Sequence, residues 1–311
     1  MMALVFDGTG EVREGLHVLG SAAVPVYLLD GPEPVFFDGG ITCLGEAYVE
    51  AAREVLGHRQ PSALYLTHVH FDHCGAVQRL KREFPGMKIA GSAKSRTIME
   101  RPNAVELITE LNKTAADAVY GIDPGRLSQE IFEPFEIDTV LGPGEEIHLG
   151  DGTYLRALAS PGHTWDFLSY YVPERRILIG SEAVGVADNS GYVVAECLVD
   201  FEVYMTSLRR LASLEVTTLC QAHHYVYLDK DVPRFFRRST MNAIEFQALV
   251  EALWEETGGD LPRTVEWVKR LEWDPLPLPK QPEPAYRINL EARIRSVLGL
   301  SRTAESAAGE E

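Results

Sequence analysis

The apolar positions of the chain fall first into short blocks and later into long stripes. Leu16–Leu19, Val24–Leu29 and Pro34–Asp38 are β-branched and aromatic runs broken by Gly and Pro, which predicts strands, the third closed by Gly39-Gly40. Over residues 44–57 the spacing turns helical, with Leu44, Tyr48, Ala51 and Leu56 near one face. Ala63–Thr67 reads as a further strand, followed by a helix over 74–84 whose inner stripe is Val77, Leu80 and Phe84. Residues 92–131 carry a mostly helical pattern with few strand signals and read as an insertion lying over the sheet. Strand character returns at Glu145–Leu149, Thr153–Ala159, Leu168–Val172 and Arg176–Gly180. A helix over 201–213 places Tyr204, Leu208 and Leu211 at i, i+4 and i+7, and the strand Thr217–Gln221 runs into His223-His224. Beyond Pro233, helices are expected over 233–256, 262–271 and 283–298, interrupted by the Pro-rich stretch Pro275–Pro284.

Two strand-rich halves with interspersed helices bury their apolar faces best as two packed sheets with helices outside. The expected organisation is one catalytic domain over 1–230, carrying the helical insertion near 92–131, then a helical C-terminal extension over 231–300. The tail at 301–311 has few apolar side chains and is expected to fray. The extension either covers the site or, through a stripe of Ile244, Leu249, Leu253 and Trp254, forms a homodimer interface.

Composition narrows the function. With 311 residues, 45% hydrophobic and 24% charged, the chain has ample material for a large core. A formal charge of −17 and the lack of a basic run disfavour nucleic acid, whose phosphates need Lys and Arg. No stretch approaches the ~20 apolar residues of a membrane span. Met1–Gly20, with Asp7, Glu11 and Glu14, lacks the basic start and apolar block of a signal peptide, so a cytoplasmic location without membrane contact is expected. The cysteines at 43, 74, 197 and 220 form no CxxC pair, which leaves neither a zinc knuckle nor a redox motif. A GxSxG elbow, a P-loop and a dinucleotide fingerprint are likewise missing.

Histidine carries the chemistry. His68, His70, Asp72 and His73 crowd together just after the apolar strand Ala63–Thr67. In an extended segment His68, His70 and Asp72 would share one side, and a turn at Phe71–Asp72 would bring His73 to the same point. Imidazole and carboxylate are the ligands that zinc, iron and similar divalent metals accept. Asp72 has a second reading, as the cap of the helix starting near Cys74. His163, Glu182 and His223 each follow a predicted strand, so the same sheet edge gathers them near the cluster. His224 is the alternative to His223.

On these residues, HxHxDH with a later Gly162-His163, an acid and a last His, the chain resembles the metallo-β-lactamase superfamily, over about residues 15–230. The resemblance implies a four-layer αββα sandwich. By position it implies that His68, His70 and His163 bind one metal, that Asp72, His73 and His223 bind a second, and that Glu182 bridges them. Asp38, in Phe36-Phe37-Asp38-Gly39-Gly40, then lies behind the ligands rather than among them. Pro25–Leu29, Thr67–Gly75 and Gly180–Ala183 are similar to the quinolone-signal-response thioesterases of that superfamily, which act on 2-aminobenzoylacetyl-CoA. The resemblance departs at Glu182, where Asp is usual, and at Gln221-Ala222-His223, where Gly usually precedes the last ligand.

The implied activity is hydrolysis of a small acyl substrate, with two divalent ions (zinc or iron, with manganese a third option) activating water and Asp72 orienting it and taking its proton. No separate acid stands out in the motifs, which favours a good leaving group such as the thiolate of a thioester. A lactonase or other ester hydrolase of the same fold, and a binding protein with a vestigial site, are the alternatives. An iron redox module fits less well, because His70 stands where such modules place an acid. Phe71, Trp165 and Tyr225 are candidates for the pocket wall, with Tyr227 near them.

Overall fold

A computed structural model describes residues 5–115, 127–277, 280–281 and 283–300. Strands Gly10–Arg13, Leu16–Gly20, Pro25–Leu29, Val35–Phe37, Ala63–Tyr65, Lys88–Gly91 and Thr139–Val140 hydrogen-bond in that order into one seven-stranded sheet. The second seven-stranded sheet runs Val5–Asp7, Tyr225–Leu228, Thr218–Cys220, Ile177–Ile179, Leu168–Val172, Tyr154–Ala159 and Glu146–His148. Both mix antiparallel hairpins with parallel neighbours, Phe36 pairing with Leu64 and Leu178 with Leu219.

The layering follows from the two-residue period of the strands. Leu16 and Val18, Val35 and Phe37, Tyr170 and Val172 face the layer between the two sheets. Their neighbours turn the other way. Leu19, Leu28 and Phe36 pack with Tyr48 and Ala52 of α1 (Gly45–Leu56) and with Val77 and Leu80 of α3 (Val77–Glu83). On the far side, Tyr171, Leu178 and Leu219 meet α6 (Phe201–Ala212), α7 (Asp231–Glu256), α8 (Leu261–Glu272) and α9 (Glu283–Leu298). The result is the four-layer αββα sandwich, its layers held together by apolar burial between them.

Several local expectations change. The helix expected over 74–84 is two, α2 (Phe71–Cys74) and α3, with the break at Gly75. There the chain passes so close to Ile41-Thr42 that a Cβ would lie 2.6 Å from the Thr42 nitrogen. In the 92–131 region, α4 (Ala93–Met99) and α5 (Pro102–Ala115) are helical, residues 116–126 lie outside the described ones, and 127–131 form neither helix nor strand. That non-helical stretch continues through Pro134, with Phe132, Phe135 and Ile137 as buried anchors. On α7 the buried face is Ser239, Ala243, Phe246, Val250 and Leu253, whereas Ile244 is 49% exposed. The expected stripe missed this face because Ser239 and Ala243 are small rather than strongly apolar. The expected tail at 301–311 lies outside the described residues. Among the described residues no helix is long and apolar enough to cross a membrane.

Candidate metal centre

The strand Ala63–Tyr65 delivers the chain at the sheet edge, and two devices then fix the loop that follows. Asp38, held at φ 61, accepts hydrogen bonds from the Thr67 backbone N–H (2.7 Å) and from the Thr67 hydroxyl (2.9 Å). Asp166 accepts from the Val69 N–H and from the Ser95 hydroxyl. At Phe71 the backbone turns helical, so His68 and His70 leave an extended segment while Asp72 and His73 leave α2. The expectation that Asp72 shares a side with His68 and His70 therefore does not hold. Asp72 sits in the first turn of the helix, and His70 occupies the cap position.

Two groups of donor atoms result, each with atoms within 4.8 Å of one another. One is His68, His70 and His163; the other is Asp72, His73, Glu182 and His223. In the first, His163 Nε2 lies 3.1 Å from His70 Nδ1. In the second, Glu182 Oε1 lies 2.8 Å from His73 Nε2 and 3.6 Å from His223 Nε2, and Asp72 Oδ2 lies 3.6 Å from His223 Nε2. Glu182 thus joins the second group. It follows Ser181, whose φ of 48 is uncommon for a side chain of that kind and turns the carboxylate inward. His224 lines the adjoining cavity and stands outside both groups.

Hydrogen bonds on the far side of each ring set which nitrogen faces inward. A carbonyl oxygen can only accept, so Nδ1 of His163 donates to the Glu196 carbonyl (2.8 Å) and Nδ1 of His223 to the Ala23 carbonyl (2.7 Å). His73 Nδ1 donates to Asp38 Oδ2 at 2.9 Å. His68 Nδ1 lies 3.0 Å from the Thr67 hydroxyl, which passes its own proton to Asp38. In each case Nε2 is the nitrogen turned toward the centre, the arrangement by which outer partners orient metal-binding imidazoles. His68 Nε2 is fully buried and has no hydrogen-bond partner, a costly orphan in an interior unless a cation meets it. The two donor sets fit divalent metals of the zinc, iron and manganese class.

The electrostatics divide the same way. Burial pushes His68 well below the usual imidazole range and His163 down to about 4, so both rings are neutral. For His73, burial opposes the charged form, but Glu182, Asp38 and Asp72 together lift it well above that range. Burial likewise works against ionised Glu182, and the neighbouring His73 charge, with hydrogen bonds from His223 and His73, outweighs it, holding the carboxyl well below its ordinary value. The second group is therefore built around negative charge and the first around neutral imidazole.

Both groups open into a cavity of about 1410 Å³ walled by α4, α5, the 188–198 segment and the C-terminal helices. Phe71 and Trp165 line it. Tyr225 does not: its strand turns it to the helix-packed face, where its hydroxyl donates to Asn189. Tyr227 packs on Phe235. Asp166, the Glu196 carbonyl and Arg293 were not singled out by the sequence. Only Asp166, three residues after His163, had a signal that spacing could have caught.

Residues 20–223 match the profile of the metallo-β-lactamase superfamily. The chain belongs to the metallo-β-lactamase superfamily. It is accordingly a metallo-hydrolase in fold and family. Hydroxyacylglutathione hydrolase of Yersinia enterocolitica is 24% identical over 70% of this chain and 70% of that protein. The human acyl-coenzyme A thioesterase MBLAC2 is 27% identical, with the match spanning 53% of this chain and 52% of that enzyme. Among solved structures, the archaeal metallo-β-lactamase superfamily protein ST1585 of Sulfolobus tokodaii superposes with a TM-score of 0.59, at 18% identity, over 92% of this chain and 99% of that one.

Proposed function

We propose that this metallo-β-lactamase superfamily member is a dinuclear-metal hydrolase of small acyl thioesters, of the acyl-coenzyme A kind. The observation that carries the reading is the cavity. One end holds the two ligand groups, the walls offer Leu107, Leu111 and Ile288, all well exposed, and the rim offers Lys94, Arg101 and Lys280. None of these cations makes a carboxylate contact among the described residues, in a chain where acids outnumber bases 46 to 29. Lys94 lies over the Trp165 ring and Lys280 over Trp273, each held by an aromatic face rather than by an acid. Such a wall takes an apolar acyl group, and such a rim takes an anionic carrier. Two relatives, named for hydroxyacylglutathione and acyl-coenzyme A, point the same way.

His68, His70 and His163 would hold one ion, and Asp72, His73, Glu182 and His223 the other. Divalent ions so placed supply an activated water and an electrophile for the carbonyl oxygen. Asp72, partly exposed to the cavity, would orient that water and take its proton, whereas Glu182 is buried and held by His73 and by the Ser181 hydroxyl. A thiolate leaves without an acid, so a thioester asks for no proton donor beyond Asp72.

The test is turnover of the fully metallated protein on acyl-coenzyme A, acylglutathione and lactone substrates. The coenzyme A thioester is expected to be the best substrate. Lys94→Glu combined with Lys280→Glu should raise its KM by about 30-fold with kcat little changed, from about 1 kcal/mol per half-exposed cation. Preference for lactones would replace the thioester reading with the ester one. No hydrolysis of any substrate would leave a binding protein.

A further inference from the structure

Arg293 is a long cation sealed almost wholly from solvent, at 1% exposure, beyond both ligand groups. Its guanidinium forks onto Glu272 at 2.7 and 2.8 Å and lies 4.0 Å over the Phe246 ring. A third donor, Nε, points to the Ala195 carbonyl at 2.8 Å. The next carbonyl along the chain, that of Glu196, is the acceptor for His163 Nδ1. Three residues further, the Val199 N–H donates to the Gly162 carbonyl, so the 195–199 segment grips the Gly162-His163 loop at two points.

A buried ion pair rarely stabilises a fold more than a packed apolar pair would, because desolvation cancels the attraction. What Arg293 adds is placement. It ties α9, the end of α8 and the 193–196 segment into one rigid unit one peptide away from the oxygen that orients a ligand imidazole.

We propose that Arg293, braced by Glu272, is a positioning residue through which the C-terminal helices set the metal affinity of the His68, His70 and His163 group. With the Ala195 carbonyl released, the Glu196 carbonyl drifts, the Nδ1–H of His163 loses its fixed acceptor, and Nε2 no longer holds its aim. The Asp72, His73, Glu182 and His223 group has its own supports in Asp38 and the Ala23 carbonyl, and is left alone. This rests on the reading that both groups bind metal.

Cobalt(II) titration of metal-free protein, followed by its visible absorption, tests it. The phase that disappears in His163→Gln identifies the three-histidine group. Arg293→Met with Glu272→Gln strands no charge and keeps an acceptor for the Tyr286 hydroxyl, which donates to Glu272. The pair should keep the metal-free Tm within a few degrees and weaken cobalt in that phase about 10- to 100-fold, the usual effect of losing an outer partner. The other phase should not move. Arg293→Lys retains the charge but cannot serve Glu272 and Ala195 together, so it should show a smaller loss in the same phase and guards against poor folding of the pair. Unchanged cobalt affinity in folded variants overturns the proposal, as does parallel weakening of both phases together with a fall in Tm. Failure of the unaltered protein to take up cobalt at either group instead overturns the metal reading beneath it.

Discussion

Asp38→Asn isolates what a buried carboxylate does for a ligand it does not replace. Asn tolerates the left-handed φ of 61 as Asp does, so the backbone can stay where it is. The native carboxylate divides its oxygens: Oδ1 accepts from the Thr67 N–H at 2.7 Å and Oδ2 from His73 Nδ1 at 2.9 Å. An amide has one acceptor and places its NH₂ against one of those two donors. Facing His73, it forces the ring to move its proton to Nε2, the atom 2.8 Å from Glu182, and so removes a lone pair from the second group. Facing Thr67, it strands the strand-end N–H. Either way one hydrogen bond to a charged acceptor is lost, about 1.5–3 kcal/mol. If the loss falls on His73, that is about 10- to 100-fold in metal affinity, the range seen for outer partners of metal-bound histidines. Thr67 can still donate its hydroxyl to the amide oxygen and accept from His68, so the three-histidine group should lose less. Calorimetric metal titration of both groups, beside thermal unfolding of metal-free protein, separates the two amide orientations. Unchanged affinity together with unchanged stability would refute the assignment of Asp38 as the support of His73.

Other consequences follow from single features. In metal-free protein His163, at about 4 when folded and 6.5 by default, stabilises the fold fully above pH 6.5 and loses that contribution as pH falls toward 4, about 3 kcal/mol in all. His163→Gln should flatten the stability-against-pH curve across that window by roughly one proton, and equal slopes in urea titrations would disprove the depressed ring. Gly162→Ala places a Cβ 2.3 Å from the Tyr204 Cα at a φ of 128, so a loss of at least about 3 kcal/mol and a Tm lower by roughly 10 °C are expected. A differential scanning calorimetry trace within 2 °C of the parent would show that the loop yields.

How far the sequence reached depends on what each constraint leaves written in it. The sandwich was legible because strand alternation is a covalent fact: Leu16, Val18, Val35 and Phe37 cannot face the helices while Leu28 and Phe36 do. The break after Cys74 was not, because it comes from Gly75 passing against the Thr42 backbone, a contact between segments far apart in the chain. Tyr225 shows the opposite error. Nearness to His223 in sequence suggested the pocket, yet Val226 must face the layer between the sheets, and alternation then sends Tyr225 to the helix side.

The centre divides along the same line. Side-chain donors announce themselves by residue type, and His68, His70, Asp72, His73 and His163 could be read from their crowding after apolar strands. The groups that aim them are mostly backbone: the carbonyls of Ala23 and Glu196 orient His223 and His163, and any residue supplies a carbonyl. A carbonyl acquires meaning only through what holds it. For Glu196 that is Arg293 acting on the preceding residue, nearly a hundred positions later in the chain. The helical extension, which by its apolar stripes reads as a cover or an interface, is therefore bonded to the segment whose carbonyl orients the His163 imidazole. A truncation that removes α9 would take away Arg293 as well as part of the cavity wall, and its effect on metal affinity should precede any effect on the acyl group.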